Sequence, residues 1–288
     1  MPSSSSLPDE CAISVLARPA SSIPASDTPD YARYLAGHVE AAFRLIRQSR
    51  AWKQGKQYHT AVGGAVNTRS APSNMQGKAA KLGWHLRDSI HNEADTGLTF
   101  DDFRGGLLVD HQPKEREYIH DVIDVKLVQS IKEKQAEVWR NSYQMPALVG
   151  NRDFLQLQLM LDLPRHAEPF SEQHQQLAVD RLLDPAALAA SQAADAGDAG
   201  ARSFIVIQLP VEHPDEPERK GEFVRGAYGS VEVVWEVEGG VEWLMMVQSD
   251  AGGKIPLVLQ EMSMNGKIAE DVPSFVGWAQ KAKPGQQA

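Results

Sequence analysis

The side chains best suited to chemistry cluster between Gly221 and Gln260, where Arg225, Tyr228 and Glu232 interrupt two strand-like runs. A guanidinium can hold an anion or polarise a carbonyl, and a phenol can donate a hydrogen bond to a charged oxygen. Odd positions from Phe223 to Val237 read Phe, Arg, Ala, Gly, Val, Val, Trp, Val; even positions from Ser230 read Ser, Glu, Val, Glu. That is period-2 amphipathicity, with one dry face and one wet face. Arg225 has the dry parity of Val231 and Trp235, so it needs a partner, either Asp153 or an anionic ligand group. Gly226 and Gly229 offer an alternative, a bulge that turns Arg225 outward. Tyr228 and Glu232 have the opposite parity and are expected to face solvent.

The element that must position these groups is a hairpin. Glu238, Gly239 and Gly240 supply a tight turn, and Val241, Trp243, Met245 and Val247 carry the dry face back. Such a sheet either packs on a helix or encloses a greasy ligand, with Trp235, Trp243, Met245 and Met246 as wall candidates. The run from Asn151 to Leu163 places Leu155, Leu157, Leu159, Leu161 and Leu163 on one face, and Phe154, Gln156, Gln158 and Met160 on the other. Periodicity alone turns the leucines inward; the opposite orientation would make Gln156 and Gln158 polar anchors in an apolar pocket.

Covalent and metal chemistry find little support. G-x-S-x-G and phosphate-loop patterns are missing from the sequence. His111 with Glu115 and Glu117 lacks a third ligand at usable spacing, and Cys11, the lone cysteine, is a poor nucleophile. No metal or cofactor is expected. The net charge of −9 over 288 residues argues against nucleic acid. A single cysteine fits a reducing compartment, and no apolar run reaches the roughly 18–20 residues that span a bilayer. A soluble cytoplasmic protein is the expectation.

Along the chain, residues 1–28 read as a flexible Ser/Pro-rich tail with a short ordered patch at Ala12–Leu16. Residues 29–283 read as a single domain, with N-terminal helices and a connector over 29–98, a core over 99–283 and a short tail at 284–288. Asp30 is expected to cap a helix to about Trp52, residues 54–80 to be a low-order connector, and Thr99 to cap a second helix. Strands are expected within Val122–Val138, Asn151–Leu163 and Ser203–Leu209, and an exposed low-complexity loop at 184–202. Pro256 opens a C-terminal helix, Asn265 and Gly266 interrupt it, and Asp271 recaps a last segment carrying Phe275 and Trp278. Helices, a run of antiparallel strands and a final helix give an α+β fold.

Several strings resemble those of START domains: Tyr143-Gln144-Met145-Pro146 with Arg152-Asp153-Phe154, Val211-Glu212-His213-Pro214, and Asp250-Ala251-Gly252-Gly253 with Ile255-Pro256. The chain is more closely similar to a fungal START-like branch catalogued as a domain of unknown function. That branch carries W-x-x-R-x-S-x-H (Trp84, Arg87, Ser89, His91), RG-x-Y-x-SVE (Arg225 to Glu232), EW-x-M (Glu242 to Met245) and DV-x-x-F-x-x-W (Asp271 to Trp278). The resemblance spans about residues 84–280. It implies a helix-grip fold of the START/Bet v 1 kind, a curved antiparallel sheet closed over a C-terminal helix around one apolar tunnel. START relatives bind sterols, phospholipids or ceramide, and the wider superfamily includes cyclases and aromatases.

The implied function is binding of a hydrophobic small molecule, a lipid or polyketide-like metabolite, with transient membrane contact during transfer. Gln156, Gln158, Arg225, Trp235, Trp243, Met245, Phe275 and Trp278 are the expected ligand contacts. The alternative is a cofactor-independent cyclase, pericyclase or isomerase of secondary metabolism in which Arg225, Gln158 or Tyr228 polarises a carbonyl. A third reading is a membrane-peripheral adaptor with a filled interior. Two departures from the family pattern bear on this. Gln158 is neutral where sterol carriers commonly place a charge, and Gly266 and Pro273 are expected to split the final helix into a shorter lid.

Overall fold

The leucine alternation between Asn151 and Leu163 decides the architecture. In the computed structural model, which describes residues 11–62, 64–73, 80–146, 149–184 and 200–283, all five leucines are buried against a helix on the outside of a curved sheet. That helix, α1 (Pro29–Ser49), presents Leu35, Val39, Phe43 and Ile46 at three- and four-residue spacing. Thr28 occupies its N-cap and Pro29 its first position, so Asp30 sits in the first turn rather than capping the helix.

The sheet has 11 strands. In chain order they are β1 (Arg18–Pro19), β2 (Lys53–Gln54), β3 (Tyr58–His59), β4 (Ala65–Ala71), β5 (Trp84–Asn92), β6 (Val122–Lys132), β7 (Ala136–Tyr143), β8 (Arg152–His166), β9 (Ala201–Glu212), β10 (Val224–Val237) and β11 (Gly240–Asp250). The main path runs β2-β4-β5-β11-β10-β9-β8-β7-β6, with neighbours antiparallel, while β1 joins β9 and β3 joins β4. The stretch expected to be connector therefore contributes β2, β3 and β4, and β5 extends the hairpin's free edge. Its residues pair because β11 would otherwise expose a row of unpaired backbone groups.

Among the described residues five further α-helices follow: α2 (Glu93–Thr96), α3 (Phe100–Leu107), α4 (His111–Tyr118), α5 (Glu172–Leu183) and α6 (Leu257–Ala282). Thr99 caps α3 as expected, its hydroxyl accepting from the Asp102 backbone N–H while the Asp102 carboxylate accepts from Thr99. The inner face of the sheet packs Phe204, Val206, Val234 and Trp243 against Phe100 and Phe103 of α3 and Val272, Phe275 and Val276 of α6. This is the helix-grip arrangement.

Two further expectations are corrected. Helix α6 is continuous over 26 residues, although Pro273 lies inside it and removes one N–H from its ladder. The buried stripe Ile268, Ala269, Val272, Phe275 and Val276 flanks that position, and its burial, at about 1.5–3 kcal/mol per large side chain, outweighs the roughly 3 kcal/mol of an interior proline. The ordered patch expected at Ala12–Leu16 is there, but the fastening reaches beyond it and residues 11–28 are not a free tail. Cys11, Ile13 and Val15 are buried, and Arg18–Pro19 pairs with Val211–Glu212. Residues 1–10, 284–288 and most of the expected 184–202 loop lie outside the described residues, and Ala201 and Arg202 belong to β9.

A Cβ added to Gly229 would fall 2.6 Å from the Ser14 carbonyl oxygen, so this glycine lets the N-terminal segment cross β10. Gly229→Ala is expected to cost about 1–3 kcal/mol in urea unfolding. A variant as stable as the parent would show that the crossing contributes nothing.

Candidate functional site

Direct partners across a sheet point to the same side, so strand register fixes which residues meet inside. Glu232 lies opposite Met245, and Met245 opposite Arg87, giving one row across β10, β11 and β5. Trp235 lies opposite Glu242, whereas Trp243 lies opposite Val234. Trp235 and Trp243 therefore sit on opposite faces, and Trp235 packs outside on Phe170, with ring centroids 4.9 Å apart. The parity expected to be wet, that of Tyr228 and Glu232, is the inner one. Both faces of the sheet are covered, so hydropathy alternation marks burial without marking the side of the hollow.

Between this inner face and helices α4 and α6 lies a cavity of about 710 Å³. Trp243, Met245, Val247, Phe154, Met264 and Ile268 supply much of its apolar wall. Its polar heart is Arg87, 1% exposed, whose Nη2 donates to Glu232 Oε1 at 3.2 Å. Trp243 Nε1 donates to the same oxygen at 2.7 Å, and the guanidinium stacks 3.9 Å above the Trp243 ring. Nε and Nη1 of Arg87 have no hydrogen-bond partner among the described residues.

Helix α4 contributes His111, Glu115 and Tyr118 to the wall. His111 Nδ1 donates to the Leu107 carbonyl, and Nε2 stands 3.7 Å from Glu115 Oε2. Tyr143 from β7 donates to Glu115 Oε1 at 3.5 Å. Burial raises the Glu115 carboxyl above the usual range, and raises Tyr118, Tyr143 and Tyr228 well above theirs, so the three phenols stay neutral donors. Asp271, expected to be a helix cap, instead projects from the middle of α6 into the cavity and makes no hydrogen bond or ion pair among the described residues. Burial pushes it up to about 7; the Arg87 charge opposes the shift, and Glu115 and Glu232 reinforce it.

Of the expected contacts, Trp243 and Met245 line this cavity, joined by Tyr228, a candidate for polarising a carbonyl that was expected on the solvent side. Arg225 does not. It lies beyond the glycine at Gly226 and forms a two-pronged pair with buried Asp153, at 3.0 Å for each prong, an ion pair that satisfies both groups away from the hollow. Gln156 is buried and donates to the Tyr228 carbonyl at 3.1 Å. Gln158 faces a separate, smaller recess. Phe275 is core, within 5.4 Å of Phe103, Tyr118 and Trp243, and Trp278 packs on Tyr118 and donates to Glu117 at 2.9 Å. Sequence reasoning missed Arg87, Glu115, Tyr118, Tyr143 and Asp271. The alternation of Arg87, Ser89 and His91 and the i, i+4 pair of His111 and Glu115 were the available signals, and both were assigned elsewhere.

A family profile described as "Protein of unknown function (DUF3074)" matches residues 84–279, more than half of the chain. The chain belongs to this family. Arg87, Glu115, Glu232 and Asp271 all lie inside the span matched by the DUF3074 profile. The curated "Uncharacterized protein C577.11" of Schizosaccharomyces pombe is 23% identical over 262 residues, covering 89% of each chain. The solved structure of human StAR-related lipid transfer protein 5 superposes with a TM-score of 0.57 at 16% identity, over 88% of this chain and 97% of that one. Human STARD10 gives 0.53 at 15% identity, over 83% and 82%. These likenesses establish the START-like helix-grip fold. No described helix is long and apolar enough to cross a membrane.

Asp271 gives a pH-dependent test. Its folded pKa of about 7 lies above the ordinary 3.8, so the stability of the neutral form is complete below 3.8 and is lost as pH rises through 7. Asp271→Asn should therefore melt like wild type near pH 4 and several degrees higher at pH 8, at about 2–4 °C per kcal/mol. Equal melting temperatures at both pH values would mean that the carboxyl is not confined.

Proposed function

We propose that the protein binds a hydrophobic small molecule, a lipid or polyketide-like metabolite, in the 710 Å³ cavity and carries or presents it in the cytoplasm. The observation behind this reading is the hollow itself, with apolar walls around polar groups that have unspent hydrogen-bonding capacity. A filled interior, as an adaptor would have, is not what the described residues form. One of the structures it resembles is that of a human protein named for StAR-related lipid transfer, which supports the same reading. Burying roughly 300–400 Å² of ligand at about 25 cal/mol/Å² yields some 8–10 kcal/mol before entropic costs, enough for micromolar binding.

The way in is the first half of α6. Leu259, Ser263 and Met264 line the cavity there, while Val258, Leu259 and Met262 are 69%, 59% and 77% exposed. An apolar patch at a cavity mouth suits transient contact with a membrane during exchange. This half is tied to the sheet by His85, whose Nδ1 meets Asn265 Oδ1 at 2.8 Å and whose Nε2 meets Glu261 Oε2 at 3.2 Å.

A second reading, cofactor-independent cyclisation or isomerisation, draws on Asp271. A carboxyl held at about 7 is matched to proton transfer near neutrality, and Arg87 with the three phenols could polarise a carbonyl.

Native mass spectrometry of protein purified from its own source should show a bound small molecule, and Met245→Trp, which fills the cavity, should abolish it with at least a tenfold loss of affinity on reloading. Protein that is always empty and cannot be loaded would overturn the carrier reading. Conversion of the bound molecule by wild type but not by Asp271→Asn would favour the enzyme.

A further inference from the structure

Beside the main cavity, and sharing His111 with it, is a recess of about 400 Å³ between α4 and strands β6, β7 and β8. Gln112 and Gln158, 0% and 1% exposed, both line it, and the amide nitrogen of each has no partner among the described residues. The Gln112 oxygen already accepts from Asn141. Glu137 accepts from the Lys134 backbone at 2.8 Å and from Trp139 Nε1 at 2.9 Å, one bond on each carboxylate oxygen. Buried donors left without acceptors are costly, and an oxygen placed in the recess would satisfy both amide nitrogens.

Register joins this recess to the cavity. Glu137 lies opposite Gln158, Gln158 opposite Gln208, and Gln208 opposite Ser230, one polar row across four strands of an inner face that elsewhere presents Met160, Phe204, Val206 and Val234. Gln208 lines the cavity, and its Oε1 accepts from Ser230 at 2.8 Å. Charge narrows the choice of occupant. Asp110, Glu133 and Glu137 surround the recess against one cation, Lys134, which is paired with Asp110 at 3.6 Å. A carboxylate or phosphate would meet net repulsion there.

We propose that this recess is a polar subsite that receives the uncharged, oxygen-bearing end of an amphiphile, a hydroxyl or carbonyl group, while the apolar part fills the larger cavity. Gln158 and Gln112 donate to that oxygen, and Trp139 walls the site. The proposal rests on the cavity-binding reading and adds the chemistry of the head.

Displacement of Nile red from the full chain by monooleoylglycerol and by oleate tests it, since the two share an acyl chain and differ in the head. Wild type should prefer monooleoylglycerol by about tenfold, the effect of one matched buried hydrogen bond. Gln158→Met, which keeps the volume and removes the donor, and Ser130→Trp, which blocks the recess from its exposed rim, should each weaken monooleoylglycerol about tenfold while leaving oleate and Nile red binding unchanged. A monooleoylglycerol affinity unchanged in either variant, or a wild type that favours oleate, overturns the subsite. Nile red uptake with no displacement by monooleoylglycerol also overturns the subsite and leaves the cavity reading standing. A protein that takes up neither dye nor ligand sinks both.

Discussion

Burial of the sheet on both sides is the constraint on which the rest depends. The leucines of β8, with Ile205, Ile207, Val231, Val233, Leu244 and Met246, find their partners in α1, so much of the fold's apolar burial is made on the convex side. The concave side packs its own cluster toward α3 and the second half of α6, and beyond that cluster it stays open. A sheet with one covered face would have to close that opening to bury enough surface. Helix α1 removes the need.

The interior that results is not simply greasy. Arg87 is matched by Glu232, and Glu115 and Asp271 are then surplus acid in a confined space, held toward their neutral forms. A neutral acid can donate a hydrogen bond and an ionised one can accept, so the cavity wall can adapt to its occupant through a proton. The same surplus runs around the smaller recess at Asp110, Glu133 and Glu137, and that recess disfavours anions.

Much of the fold was legible because it is written in patterns that do not depend on which side is inside. The hairpin at Gly239 and Gly240, the cap at Thr99 and the leucine alternation all hold as local statements. What failed depended on long-range cover. Trp235 and Trp243 looked alike in sequence because both are buried, one under α5's neighbourhood and one inside. The strands within residues 54–80 looked like a connector because short, polar strands owe their pairing to a distant edge. Pro273 looked like a break because propensity does not register the packing around it. Arg225 was visible as a charge needing a partner, and Asp153 was the right one, yet the inference that the pair might touch a ligand required knowing where the strand leaves the hollow.

Arg152 has a mechanical consequence. Its guanidinium, 1% exposed, donates to the carbonyls of Val149 and Gly150 on one loop and of Ala251 and Gly252 on another, with Arg152 and Ala251 both on the cavity rim. One side chain thus staples two loops into a single stiff collar. The start of α6 is fastened to the same collar, Gln260 accepting from the Ala251 backbone at 2.9 Å, and to β5 and its approach through His85 and the Gly83 backbone, so rim and helix start form one hydrogen-bonded frame.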